Sequence, residues 1–160
     1  MHEKKLSAAL YGVDNNPEHS AQALELELVD EVLGLDEAIA RSEVIIIAIP
    51  VNSINTLLPA VLDKIDHQIV IDLGSTKSEM LEAVRRHAKR GRYVATHPMW
   101  GREYSGPSAA VRGGFENRAV VICDAADSDA DALGWVKQMY LKIGMHIIEM
   151  EGKAHDLHAA

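Results

Sequence analysis

Cysteine is almost missing from this 160-residue chain: Cys123 stands alone. No disulfide can close within it, and nothing in the cysteine usage asks for an oxidising compartment. Aromatic side chains are also scarce, at 4% with a single phenylalanine, so any core must be aliphatic. No apolar run approaches the roughly 18–20 residues of a membrane span. The opening Met1-His2-Glu3-Lys4-Lys5 has no apolar stretch of the kind a signal peptide carries. Positive charge is short as well: 16 Lys and Arg stand against 24 Asp and Glu, a net charge of −8. Duplex binding would need a concentrated basic face to overcome that balance, and none is visible. Repeats and low-complexity tracts are absent. What remains is 48% hydrophobic, too apolar for a disordered chain. A soluble cytoplasmic domain with no nucleic-acid or membrane partner is the expectation.

Short apolar runs alternate with segments of helical period. Ser7 to Val13 reads as a strand ending at Asp14. Asn16 and Pro17 supply an N-cap and a first-turn proline for a helix to about Leu28. A short helix over Asp36 to Arg41 leads to Val44-Ile45-Ile46-Ile47-Ala48-Ile49, apolar throughout as in a parallel strand covered on both faces. Pro50 ends it, and a helix over Ser53 to Lys64 follows. Gln68 to Asp72 is the next strand. Thr76 and Glu79 have the spacing of a capping box for a helix to about Arg90. Further strands are expected over Arg92 to Ala95, Arg118 to Cys123 and Met145 to Glu149. A helix over Ala130 to Lys142, stopped by Gly144, separates the last two. The pattern predicts α/β architecture: a doubly wound, Rossmann-type parallel sheet built from right-handed βαβ units.

One element of such a fold is missing. No G-x-G-x-x-G turn occurs, and only thirteen residues precede Asp14. Met1 to Leu6 reads as the tail of the helix that would follow that turn. The first strand of a Rossmann sheet lies between the two strands ending at Asp14 and Ile49. Without it, those two either stay as unpaired edges or pair with each other in a new register. The pyrophosphate-binding helix N-terminus is lost with it.

Candidate chemistry gathers where strands end. Asp14 could bond the ribose hydroxyls of NAD and repel a 2′-phosphate; an Asx turn ahead of Pro17 is the plainer reading. Asp72-Leu73-Gly74-Ser75-Thr76-Lys77 is a strand-tip turn in which Ser75 is either a ligand contact or a plain helix-start residue. His97 opens a long irregular stretch to about Gly114, and loops that long are usually functional. A neutral imidazole there suits proton abstraction near pH 7, against the plainer reading of a solvated loop histidine. Cys123 reads as a small core residue. Asp127, Asp129 and Asp131 mimic the start of a calcium loop. Ala132 and Gln138 break that pattern, so these acids favour the next helix's first turn. His155 and His158 lack further zinc ligands, and no metal is expected. Arg85, Arg86, Lys89, Arg90 and Arg92 read as a solvated helix end.

Together the segments resemble the prephenate dehydrogenase family of tyrosine biosynthesis. His97-Pro98-Met99-Trp100-Gly101-Arg102-Glu103-Tyr104-Ser105-Gly106 is similar to that family's H-P-M-x-G-x-E-x-S-G loop. The Asp72 to Lys77 turn is similar to its D-x-G-S-x-K. Tyr11 to Asp14 and Ile47 to Val51 resemble two of its strand ends. Lys153-Ala154-His155-Asp156-Leu157-His158 resembles the start of the helix into its second domain. The resemblance implies a partial dinucleotide-binding domain over 1–150 and a connecting helix from 151. It implies NAD-dependent oxidative decarboxylation of prephenate to 4-hydroxyphenylpyruvate, in a homodimer joined through a helical C-terminal domain. By the same resemblance, His97 accepts the proton of the ring hydroxyl and Ser75 orients it. Asp14, Asn15, Ala48, Ile49, Pro50, Gly74 and Ser75 would hold NAD, and His97, Trp100, Arg102 and Glu103 would meet the substrate. Trp100 and Arg102 depart from the small residue and threonine common in the family. Arogenate or another small acid is the alternative substrate. A non-catalytic NAD-binding or interaction module is the alternative of another class.

Overall fold

The computed structural model describes residues 6–101, 106–111 and 113–159. Seven strands and six α-helices follow one another in the order β1 (Tyr11–Gly12), α1 (Pro17–Glu25), β2 (Glu31–Val32), α2 (Leu35–Arg41), β3 (Val44–Ile47), α3 (Val51–Lys64), β4 (Ile69–Asp72), α4 (Ser78–Val84), β5 (Tyr93–Pro98), β6 (Ala119–Cys123), α5 (Ala130–Ile143), β7 (His146–Met150) and α6 (Gly152–Ala159). The main sheet has the order β3-β4-β5-β6-β7, and β1 and β2 form a separate parallel pair.

Alternation along the strands explains the layers. Val70, Tyr93, Ala95, Val121 and Cys123 face α3 and α4, where Ile54, Leu58, Val61, Leu62, Met80 and Val84 close one core. Their neighbours Ile69, Ile71, Val94, Val120 and Ile122 face Ala132, Val136, Met139 and Tyr140 of α5 on the other side. Helices on both faces of a mostly parallel sheet confirm the expected α/β class. Cys123 is buried, as a core residue should be, and Gly144 ends α5 at φ 92°.

Several local expectations change. The strand expected over Ser7–Val13 is only two residues long and pairs with β2, which the sequence reading did not foresee. The helix expected to reach Leu28 stops at Glu25, and Glu27 takes φ 53°. β3 is not covered fully on both faces, since Ile46 is 39% exposed, and among the described residues it is an edge strand paired with β4 alone. Among the described residues β1 and β3 do not pair with each other, so of the two outcomes expected for these strands the open edges are the one seen. β6 runs antiparallel to β5, against the expectation of parallel units throughout. Among the described residues, no helix intervenes between them to carry the chain back across the sheet.

The capping box is not formed. Lys77 occupies the N-cap of α4, and an ammonium has no acceptor with which to cap. The Lys77 and Ser78 N–H groups donate to Asp156 instead. The Lys77 side chain turns inward to Asp72, both groups being fully buried. The basic stretch after α4 is a clamp, not a solvated face, apart from Arg85 and Arg86. Arg90 donates to the Tyr93 carbonyl at 2.8 Å. Arg92 donates to the His67 carbonyl at 2.7 Å and to Asp131 at 2.8 Å. Asp131 lies in the first turn of α5, as expected.

Asp72 holds β4, β5 and α4 together. Its Oδ1 accepts the Tyr93 hydroxyl at 2.7 Å and the Thr96 N–H at 3.3 Å, and its Oδ2 accepts the Gly74 N–H at 2.8 Å and the Lys77 ammonium. Burial pulls the Lys77 ammonium below its ordinary value, while the neighbouring carboxylate opposes that pull. Removing one partner of such a pair typically costs about 3–5 kcal/mol. Lys77→Met should therefore lower the unfolding free energy in urea by that order or abolish cooperative folding; an unchanged midpoint would show the pair to be dispensable.

Candidate active site

The parallel register places three chain segments on one rim. Ile47 lies opposite Asp72, and Asp72 opposite Ala95. Ala48, Ile49 and Pro50 leave β3 at that rim, Gly74 and Ser75 leave β4 there, and His97 stands two residues beyond Ala95. Carboxyl ends of strands are where open α/β sheets bind ligands. Asp14 lies just beyond β1, and its Oδ2 is 3.4 Å from His19 Nδ1 on α1. A Cβ built at Gly106, in the segment following β5, would lie 3.4 Å from His19 Nε2.

Each proposed NAD contact has a definite setting. The Asn16 N–H donates to Asp14 Oδ1 at 2.8 Å, so the Asx turn is formed. Asn16 in turn caps α1 by accepting the Glu18 N–H at 2.9 Å. Asp14, Asn15, Ala48, Ile49, Pro50 and Ser75 are all exposed, as a cofactor surface requires. Gly74 is buried, and a Cβ there would sit 2.5 Å from Met80 Cε and 3.0 Å from Asp72 Oδ2. Its smallness serves the packing of the turn.

His97 is not a loop residue. β5 continues through it to Pro98, and His97 lies opposite Val121 of the antiparallel strand β6. Its ring is half-buried. Ser75 does not orient it in this structure, since the two make no hydrogen bond. His97 Nδ1 instead lies 2.9 Å from Nε2 of His155 on α6. Trp100 sits just beyond β5, with the Arg118 guanidinium 5.2 Å from its ring centre. Arg102 and Glu103 lie outside the described residues, as does Met1 to Lys5, most of the helix tail expected before β1.

Sequence reasoning missed two participants. His155, set aside as a poor zinc ligand, is 2% exposed. Lys77 was quoted in a motif without a role. An Asp and a Lys bracketing a glycine turn at the end of an apolar strand were the available signal for the buried pair. His155 lies in a stretch already noted as resembling a connecting helix, but nothing local points to its partner, which lies 58 residues away.

Burial, then the neighbouring His155 and Lys77, push the His97 imidazole down to about 4, well below the ordinary 6.5 on which the sequence reading relied. The ring is a weaker base than expected, yet it is uncharged and available throughout the neutral range.

An open α/β sheet with a carboxylate, an exposed turn and a neutral imidazole near its carboxyl rim has the layout of a dinucleotide-binding domain. The family model for the nucleotide-binding domain of prephenate dehydrogenase matches residues 1–149, and the chain belongs to that family. It is 30% identical over 155 residues to prephenate dehydrogenase of Bacillus subtilis, covering 92% of this chain and 41% of that protein. It is 23% identical over 154 residues to cyclohexadienyl dehydrogenase of Zymomonas mobilis, covering 94% of this chain and 52% of that one. The chain thus spans about half the length of these curated relatives. Among solved structures, prephenate dehydrogenase of Aquifex aeolicus with hydroxyphenyl propionate and NAD+ superposes with a TM-score of 0.87 at 22% identity, covering 97% of this chain and 55% of that one. Arogenate dehydrogenase of Synechocystis gives 0.83 at 23% identity, covering 94% and 54%. Among the described residues, no helix is long and apolar enough to cross a membrane, and no group of three His, Cys, Asp or Glu could hold a metal ion.

The low His97 value has a measurable consequence. Between pH 6.5 and 4 the unfolded chain binds a proton at this ring and the folded chain does not, so the contribution opposes folding as pH falls. An NMR titration should show the His97 ring changing charge near pH 4; a midpoint near 6.5 would mean the ring is solvated.

Proposed function

We propose that this chain is the cofactor-binding part of a cytoplasmic, NAD-dependent enzyme that oxidatively decarboxylates prephenate to 4-hydroxyphenylpyruvate, with His97 as the base. The observation that carries the reading is a half-buried, uncharged imidazole on the same rim as the residues suited to a dinucleotide. The exposed carboxylate of Asp14 suits ribose hydroxyls, and Val13 (46%) and Ile49 (37%) are exposed apolar side chains, each suited to a flat ring face. Ala48 and Pro50 flank the second of these, Asn15 extends the first, and Ser75 offers a hydroxyl from the turn. These residues fit the ribose and ring portions of NAD, whereas no glycine-rich turn in the chain serves the pyrophosphate. Bound NAD supplies the oxidised nicotinamide that takes up hydride from the carbinol carbon of the substrate.

His97 removes the hydroxyl proton from that same carbon, leaving a carbonyl. Loss of carbon dioxide then returns its electron pair to the ring, which becomes aromatic as the carbonyl oxygen takes a proton back from His97. A positioned base of this kind contributes on the order of 10² to 10⁴ in rate. Trp100, held under Arg118, and the loop residues Arg102 and Glu103 are the proposed substrate side of the cleft, with Arg102 suited to a carboxylate. Assembly of the whole enzyme as a homodimer through a further helical domain belongs to the same proposal. Cyclohexadienyl and arogenate dehydrogenases among the relatives keep arogenate as the second candidate substrate.

In the full-length protein, His97→Asn should keep NAD affinity and lose turnover by at least about 100-fold; an unchanged kcat would refute the assignment. The 160-residue chain alone should bind NAD weakly, because it lacks the pyrophosphate turn. Calorimetry giving a micromolar Kd would contradict that expectation.

A further inference from the structure

His97 is one end of a chain of polar groups that the reading above leaves unused. Its Nδ1 meets His155 Nε2 at 2.9 Å, the rings edge to face with centres 5.1 Å apart and planes at 80°. The other nitrogen of His155, Nδ1, lies 2.8 Å from Asp156 Oδ1. Asp156 is itself anchored, its two oxygens accepting the N–H groups of Lys77 and Ser78 at 2.8 Å each. Burial alone would raise its carboxyl, but hydrogen bonds from Ser78, His155 and Lys77 outweigh that and hold it at about 2.

The direction of every proton follows from this anchor. An ionised carboxylate only accepts, so His155 Nδ1 carries the proton it donates to Asp156. A neutral imidazole has one donor and one acceptor, which makes His155 Nε2 the acceptor. His97 Nδ1 must then donate, and the lone pair of His97 is left on Nε2. We propose that His155 and Asp156 are positioning residues that fix His97 as its Nδ1–H tautomer and reserve Nε2 for the substrate proton. The inference rests on His97 being the base. When Nε2 takes the hydroxyl proton, the Nδ1–H bond to His155 becomes charge-assisted and strengthens; no proton leaves the chain of residues. Partners that set which nitrogen of a working histidine is protonated typically matter by about 10- to 100-fold in activity.

Long-range ¹H–¹⁵N correlation spectra of the labelled 160-residue chain test the proton assignment without any turnover. His97 should show a protonated Nδ1 and an unprotonated Nε2 near pH 7; the reverse assignment overturns the inference. Substitution tests the consequence. His155→Leu removes the acceptor, and in the full-length protein it should lower kcat about 10- to 100-fold with KM for substrate and NAD within about twofold. His155→Gln, whose Oε1 can accept the same N–H, should recover most of the loss, which a purely packing role would not allow. Full activity in His155→Leu, or no recovery in His155→Gln, overturns the inference while leaving His97 as base. Full activity in His97→Asn removes the underlying reading instead. If His155→Leu does not fold, the spectra and His155→Gln still decide.

Discussion

A carboxylate and an ammonium with no access to water hold this molecule in register. Asp72 and Lys77 are both 0% exposed, and isolated charges at that depth would be prohibitively costly. They persist because each oxygen of Asp72 has two donors and the donors come from different elements: Tyr93 and Thr96 on β5, Gly74 in the turn, and Lys77 at the start of α4. The network continues outward. The Thr96 hydroxyl donates to the Asp72 carbonyl, which leaves its oxygen to accept the Tyr140 hydroxyl of α5 at 2.8 Å. A buried pair of this type is a poor source of net stability compared with well-packed apolar residues. Its value here is geometric, since it fixes where the β4 turn leaves the sheet relative to β5.

That geometry reaches the imidazole by two routes. Along β5, Thr96 is tied to Asp72, and His97 is the next residue. Through α4, the side chain of Lys77 points into the core while its backbone N–H donates to Asp156. Asp156 then orders His155, and His155 orders His97. The antiparallel strand β6 adds a third restraint, because His97 lies opposite Val121 in the ladder. A half-buried ring restrained from three sides loses little freedom on meeting a substrate, consistent with a preorganised base. The same enclosure accounts for its weak basicity.

Architecture was legible in the sequence wherever burial is periodic. The apolar strands β3, β4 and β6 and the helices α2, α3 and α5 were located to within a few residues, and Asn16 and Gly144 marked true helix ends. Two-residue strands such as β1 and β2 carry no periodic signal, so their pairing could not be read. The antiparallel turn of β6 was hidden because nothing in Ala119–Cys123 encodes direction; it goes with a connection in which, among the described residues, no crossover helix is formed. Strand ends and motif spacing singled out Ser75 and His97, which lie where β4 and β5 end. What failed was the assignment of partners. Ser75 lies within a conspicuous motif of its own, yet the contact to His97 comes from His155, brought in by α6. Lys77 went unread as a core residue because a lysine is expected in solvent, although an Asp and a Lys bracketing a glycine turn hinted at the pair.

The dependence of this arrangement on one ion pair is tested most directly by a double-mutant cycle of Asp72→Asn and Lys77→Met, with unfolding free energies measured in urea. Neighbouring groups that act as one unit are non-additive by about 0.5–3 kcal/mol. The account predicts that the double variant is less destabilised than the two single variants added together, by about 2 kcal/mol or more. Strict additivity would show that the two charges do not depend on each other, and would contradict the account.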